Sequence, residues 1–331
     1  MTVEVQAGER SGETASRGAI APNEGAGIDA IAGAAPVRRP TPEYDDAGPT
    51  PRRREETPRN PLGSLGLLII GAVFAFPIAW AALSSLKSTP DIIKYRLPLS
   101  WATFLPPNPT FSNYVMLFTS LHFGWALVNT LIASAGQVII AVITSTLAGY
   151  AFARLSFPFR NSAFGLLLLT AFIPLEVILV PLYILVSGMG LTSTYPALFL
   201  PFACSPFGIY LMRQTFQQLP VELDDAARVD GASTWRIFWR IALPNVKPAL
   251  ATLVLIQFIW SWNAYLWPLV IMQDPAKQIA QVVLAGYQGV PNFPLDGPLF
   301  AGVTVVTVPL VVIAIVLQRY YVRGLMTSGI R

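Results

Sequence analysis

Six apolar stretches, near 64–86, 125–151, 162–187, 195–213, 249–271 and 299–320, constrain this chain more than any other feature of its sequence. Each runs to about 20 residues or more, enough for a helix rising about 1.5 Å per residue to cross roughly 30 Å of hydrocarbon. No single soluble core buries six such segments. With 53% hydrophobic and only 12% charged residues, the chain is also too apolar for a water-soluble domain. Backbone groups in lipid must find partners within their own segment, so the expectation is an all-α membrane protein with six spans. The fourth stretch is the shortest and carries Pro201 and Pro206, whose freed carbonyls need partners inside a bundle.

The basic residues set the threading. For six spans with the N-terminus inside, eighteen basic residues fall inside, and only Lys87, Lys94, Arg96 and Lys277 fall outside. The bias remains ten to four when the first 60 residues are left out. It predicts a multi-pass protein of the cytoplasmic membrane with both termini in the cytoplasm. The formal charge of +4 then reports topology rather than a nucleic-acid partner. Residues 1–60 carry no periodic apolar pattern and read as a disordered cytoplasmic tail, held inside by Arg52, Arg53, Arg54 and Arg59. The first thirty residues lack a basic start followed by an apolar core and a cleavage site, so the first span is expected to be the anchor. The membrane domain is expected to occupy 61–331.

Two outer loops, 87–124 and 272–298, are rich in proline and aromatic residues and read as ordered. Trp101, Phe104, Phe111, Tyr114 and Phe118 are expected to pack a small cap or to lie at the membrane interface. Catalytic chemistry finds little to stand on. No Gly-x-x-x-x-Gly-Lys-Ser/Thr loop occurs, and a single His122 and a single Cys204 make no metal cluster. Cys204 sits in an apolar run and is expected to be buried.

The hydrophilic loop 214–248 has an internal design. Pro220 suits a first helical turn, and Glu222, Asp224 and Asp225 complement the positive end of the helix dipole. Ala226 and Ala227 keep one face low for a close neighbour, and Asp230-Gly231 supplies the turn that ends the helix. Trp235, Phe238, Ile241 and Ala242 then recur on one face of a second helix, Arg236 and Arg240 on another, until Pro244 stops the run. The whole reads as a helix-turn-helix plug facing water. Asp225-Ala226-Ala227, three residues, Gly231, nine residues and Ile241-x-Leu243-Pro244 resemble the cytoplasmic coupling motif of ABC importer permeases. The family usually has Glu where this chain has Asp225, which keeps the charge with a reach one methylene shorter. From about Leu62 to Arg331 the chain is similar to sugar-importer permeases of the maltose-permease type.

The resemblance implies a type I importer permease with six transmembrane helices and a cytoplasmic coupling helix. It assigns Glu222, Asp225, Ala226, Ala227, Asp230, Gly231, Ile241, Leu243 and Pro244 to contact with an ATPase. It implies no cofactor in this chain, with ATP and Mg on the ATPase. Partners would be a second homologous permease, two ATPase copies, an extracytoplasmic sugar-binding protein docking on the outer loops, a sugar and membrane lipid, with no nucleic acid. The C-terminal Gly324, Thr327, Ser328 and Gly329 would lie near the ATPase dimer.

For the solute pathway, Glu176 is the one acidic residue within a predicted span, near the middle of the third and flanked by Pro174 and Pro181. Gln257 and Asn263 on the fifth span can hydrogen-bond a polyol, whereas Tyr265 and Trp267 near its outer end suit an aromatic belt. Asn129 and Gln137 on the second span are candidates of the same kind, with packing between helices as the alternative. Two other functions fit the composition. One is a proton-coupled transporter with Glu176 as carrier; the other is a non-transporting membrane scaffold or enzyme that recruits a partner through 214–248.

Overall fold

The computed structural model describes residues 61–288 and 295–328, with side-chain surroundings from Gly63 to Val316 except at 289–294. The tail, with Arg52, Arg53, Arg54 and Arg59, and the residue Gly329 lie outside the described residues, as do the side chains of Gly324, Thr327 and Ser328. The described chain is helical: α1 Pro61–Ser84, α2 Thr89–Lys94, α3 Trp101–Phe104, α4 Ser112–Thr119, α5 Phe123–Arg154, α6 Arg160–Thr170, α7 Leu175–Gly188 and α8 Tyr195–Phe199. After a short 3₁₀ turn come α9 Pro206–Gln217, α10 Val221–Val229, α11 Thr234–Ile237, α12 Leu243–Asn245, α13 Lys247–Trp262, α14 Leu266–Ile271, α15 Ala280–Gly286 and α16 Asp296–Ser328.

Within α1, α5 and α16 lie segments long and apolar enough to cross a membrane unbroken, and three bent helix pairs bring the total to six. The straight expected spans are therefore corrected at three places. The third is broken by 100° between α6 and α7, where Pro174 lacks an N–H and its ring disfavours helical geometry at Ile173. The fourth bends by 49°, with Pro201 opening a 3₁₀ turn and Pro206 opening α9. There Ser205 caps α9 by accepting a hydrogen bond from the Gly208 amide, so both prolines occupy positions that need no donor. The fifth ends early: α13 stops at Trp262, and α14 resumes at Leu266.

The 32-residue α5 is the axis, packed on one flank by α9 and on another by α13. Its approach to α9 depends on small residues. A Cβ at Gly149 would lie 2.5 Å from Cβ of Met212 and 2.9 Å from the Arg213 backbone nitrogen. One at Gly208 would run into the Ser145 hydroxyl and lie 2.9 Å from a Leu253 methyl. The three helices thus meet at backbone distance, where dispersion between close surfaces replaces a hydrophobic drive that lipid cannot supply. By contrast, the most apolar window of α1 buries none of its residues within this chain.

At the end away from the plug, α2–α4 form the cap. Lys87 is buried and donates from Nζ to the Thr103 carbonyl (2.7 Å), which also accepts from Trp80 Nε1 (3.0 Å). Burial pushes the Lys87 ammonium below its ordinary pKa, against the pull of Asp91. Asn113 donates to the Ser85 and Lys87 carbonyls (2.7 and 2.6 Å), tying α4 to the end of α1. Of the five aromatic residues expected to pack a cap or to lie at the membrane interface, Tyr114 is half-buried in the cap, with its hydroxyl 2.7 Å from Ser85 Oγ; Trp101, Phe104, Phe111 and Phe118 are exposed. Cys204, expected inside, is exposed in the break before α9.

Candidate functional site

The plug is built on α10. Pro220 caps the helix in an extended conformation, and Glu222 and Asp224 occupy its first turn. At the other end Asp230 is the C-cap, and Gly231 takes the left-handed conformation with φ +76°. The Gly231 amide donates to the Arg228 carbonyl (3.0 Å) and the Ala232 amide to that of Ala227 (2.9 Å). That pair of bonds is the Schellman arrangement, which satisfies two of the last orphan carbonyls and needs a residue without Cβ strain at position 231.

Two adjacent carboxylates of α10 have different fates. Asp224 faces inward, its Oδ2 3.5 Å from Nε of Arg154 at the end of α5, with side chains only 6% and 8% exposed. Arg154 also donates to the Leu219 carbonyl (2.6 Å), so one guanidinium holds both the start of the plug and the loop before it. Asp225 points outward into an exposed pair with Arg228, which contributes little to stability. Ala227 is buried against the protein, whereas Ala226 is exposed with Glu222, Asp230 and Val229. The two alanines therefore serve opposite faces, and Ala226 alone keeps the outer face low.

The second half departs from the expected helix. Ser233 caps α11, a π-helical turn follows over Phe238–Ala242, and α12 continues through Pro244. Pro244 does not stop the run; the chain turns by 78° after Asn245 into α13. A proline has no N–H for the carbonyl four residues back and its ring collides with it, so the wider π turn before Pro244 relieves both demands. The buried face consists of Ile237, Phe238, Ala242 and Val246, with Leu243 and Ile241 partly covered. Trp235, expected on that face, is exposed and stacks on Phe238 at 5.6 Å. Beneath the plug, Tyr150 of α5 meets Phe216 and Phe238 edge-on at 5.4 and 5.1 Å.

The pathway candidates do not converge. Asn129 donates to the Ala276 and Gln278 carbonyls (both 2.9 Å) and accepts from the Tyr195 hydroxyl (2.7 Å). Gln257 is buried and donates to Ser205 Oγ (2.7 Å), while Asn263 donates to the Ile259 carbonyl at the end of its own helix (2.8 Å). Glu176 sits exposed in the first turn of α7, two residues past Pro174 at the break of the third span. Gln137 is buried half-way along α5 beside a cavity of about 390 Å³. Trp267, expected in the outer aromatic belt, is buried and donates from Nε1 to the Ala197 carbonyl (2.9 Å).

Residues 141–327, more than half of the chain and including the whole plug, match the sequence profile of the binding-protein-dependent transport system inner membrane components. The chain belongs to this family. It is accordingly an inner-membrane permease of the ABC-importer type, a translocation component rather than an enzyme. It is 31% identical to the arabinooligosaccharides transport system permease protein AraQ of Bacillus subtilis, over 81% of this chain and 94% of that one. Identity is 33% to the sn-glycerol-3-phosphate transport system permease protein UgpE of Yersinia pestis, over 79% and 94% of the two chains. It is 32% to the trehalose transport system permease protein SugB of Mycobacterium tuberculosis, over 80% and 94%. Among solved structures, a bacterial ABC transporter involved in the import of the acidic polysaccharide alginate superposes with a TM-score of 0.70 at 24% identity. That overlap covers 78% of this permease and 95% of the other chain, and establishes the shared fold.

Reading the sequence of the permease singled out the motif positions but passed over Arg154, which was counted only as a topology marker. A basic residue ending the longest apolar helix, with Asp224 and Ala227 three apart on the next polar helix, was the available signal.

Proposed function

We propose that this permease translocates a carbohydrate delivered by an extracytoplasmic binding protein, driven by ATP hydrolysis on separate subunits. One observation supports the coupling role above the others: α10 is pinned from below by the buried Arg154–Asp224 pair while its outer face has no cover among the described residues. A short helix fixed on one side and bare on the other can transmit force from a partner. The partners are two copies of an ATPase carrying ATP and Mg, gripping Asp225, Ala226 and their neighbours, together with a second homologous permease. Both termini are placed in the cytoplasm, on the side of the plug. Transport proceeds by alternating access: the ATPases hold the plug differently in their open and closed states, and that difference shifts the helices between inward- and outward-open arrangements. The carbohydrate reading draws on the AraQ and SugB likenesses; delivery draws on the family's description.

The first test uses Val229→Cys, since Val229 is 88% exposed, in a chain whose single native Cys204 is replaced by serine. The thiol should cross-link to a nucleotide-binding subunit in native membranes and react with impermeant reagents only from the cytoplasmic face. Labelling from the outer face would sink the assignment. A second test is Gly231→Val. Nothing lies within 4 Å of a Cβ built there, so the added side chain meets open space and acts through the left-handed backbone alone, costing about 1–2 kcal/mol. Uptake should fall about tenfold while the protein still inserts, and Gly231→Asn, which tolerates that conformation, should retain most of it.

A further inference from the structure

Hydrogen-bonding capacity separates the candidate pathway residues. Asn129 uses both amide hydrogens and its oxygen on neighbouring protein groups, and Gln257 and Asn263 each donate to a protein oxygen. Gln137 differs. It is buried, its amide makes no hydrogen bond to another described residue, and it lines the cavity of about 390 Å³ between α5, α7, α13 and α14. As the fifteenth of 32 residues in α5, it stands roughly 21 Å from the start of that helix and roughly 26 Å from its end, close to the middle of its length. An amide without a protein partner at that position is costly unless something polar enters beside it.

The rest of the lining suits such a visitor. Trp260 and Tyr265 edge the cavity with rings 53% and 42% exposed, and the Ser261 hydroxyl adds a second polar group. Apolar C–H faces of a pyranose pack on aromatic rings, and its hydroxyls exchange hydrogen bonds with an amide. The volume falls within the roughly 300–1,000 Å³ of small-molecule sites. Two of the chain's breaks open here as well, at Leu175 and at Ala264–Tyr265, and irregular backbone at membrane depth is tolerated where it lines a cavity.

Charge decides the class of solute. None of the lining residues is Lys, Arg, His, Asp or Glu. Glu176 and Lys277, one and two residues from the lining positions Leu175 and Ile279, are the charged residues nearest to the lining in sequence, and neither lines the cavity. A phosphate or carboxylate would enter this cavity without a counter-charge from its lining, at far greater cost than a hydroxyl. We infer that the Gln137–Trp260–Tyr265 cavity is a sugar-ring subsite contributed by this chain, and that it takes neutral carbohydrate rather than phosphorylated or acidic sugars. The inference rests on the permease reading and narrows its substrate class.

The test uses cells carrying the whole transporter, with and without this chain, given radiolabelled trehalose, maltotriose, arabinotriose or sn-glycerol 3-phosphate. Loss of the chain should lower uptake of at least one neutral sugar about tenfold and leave the phosphate ester unchanged. Gln137→Leu, which removes the amide at similar volume, and Trp260→Ala, which removes an exposed ring, should each lower that neutral uptake about tenfold with the chain present in the membrane at parental level. Trp260→Ala removes a ring that is 53% exposed and packs on the likewise exposed Phe207 at 5.8 Å, and stands as the second variant if Gln137→Leu fails to insert. Dependence of the phosphate ester on the chain, dependence of no neutral sugar, or neutral uptake within twofold of parental in the inserted variants overturns the inference. In each of those cases the Val229→Cys cross-link to the ATPase persists if the permease reading holds, and is lost if that reading is what failed.

Discussion

Asp224→Ala is expected to destabilise the permease by about 3–5 kcal/mol, because it leaves the Arg154 guanidinium in a site only 8% exposed with no counter-charge. The loss does not measure an intrinsically strong ion pair. Bringing two charges out of water offsets most of their attraction, and the large effect arises when one is removed and the other remains. The melting temperature of the detergent-solubilised complex should fall, and uptake should fall with it as the plug loses its footing on α5. Removing both charges, as Arg154→Leu with Asp224→Leu, should restore part of the stability. Recovery stays incomplete because Arg154 also donates to the Leu219 carbonyl. A single variant melting with the parent would mean that the pair does not hold the plug.

Trp267→Ala is the second large effect. The side chain is 1% exposed, packs edge-on to Phe202 at 6.3 Å and caps the Ala197 carbonyl through Nε1. Truncation removes a large buried volume and orphans a carbonyl, a combination that costs about 3–5 kcal/mol. Trp267→Phe keeps most of the volume and should cost about 1 kcal/mol, mainly through the lost hydrogen bond. A tryptophan belonging to an aromatic belt at the lipid surface would show little change on either substitution. The ranking of the two variants by thermal melting therefore distinguishes a core residue from an interfacial one.

That tryptophan also marks where sequence reading runs out. Hydropathy and spacing locate the apolar spans, the plug and its glycine turn, because each depends on local chemistry: length against bilayer thickness, a residue free to adopt positive φ, a proline opening a helix. Burial of Trp267 depends on α14 leaving the line of α13; Pro268, in the first turn of α14, announces a break at the Ala264 carbonyl four residues back but not the direction the chain then takes. The 100° bend at Pro174 had its proline in plain sight, yet in a sequence Pro174 and Pro181 look alike; one ends a helix and the other sits within it, and tertiary packing makes the difference. Within the candidate sites, outward residues such as Asp225 were legible from the motif. Arg154 and Asp224 were not paired in advance, because 70 residues and two spans separate them in the chain.

The π turn at Phe238–Ala242 has a consequence for how the plug is oriented. Relative to an α-helix it accommodates one additional residue, and each helical residue advances the azimuth by about 100°. The wide turn absorbs that residue in place: five residues at the smaller π advance come round to almost the azimuth that four reach in an α-helix, so Trp235 and everything before it keep their facing against α13. Deleting the residue would leave that facing nearly unchanged and confront Pro244 with an ordinary α-helical carbonyl; the supernumerary residue thus seats a proline in mid-run without turning the outward face of the plug.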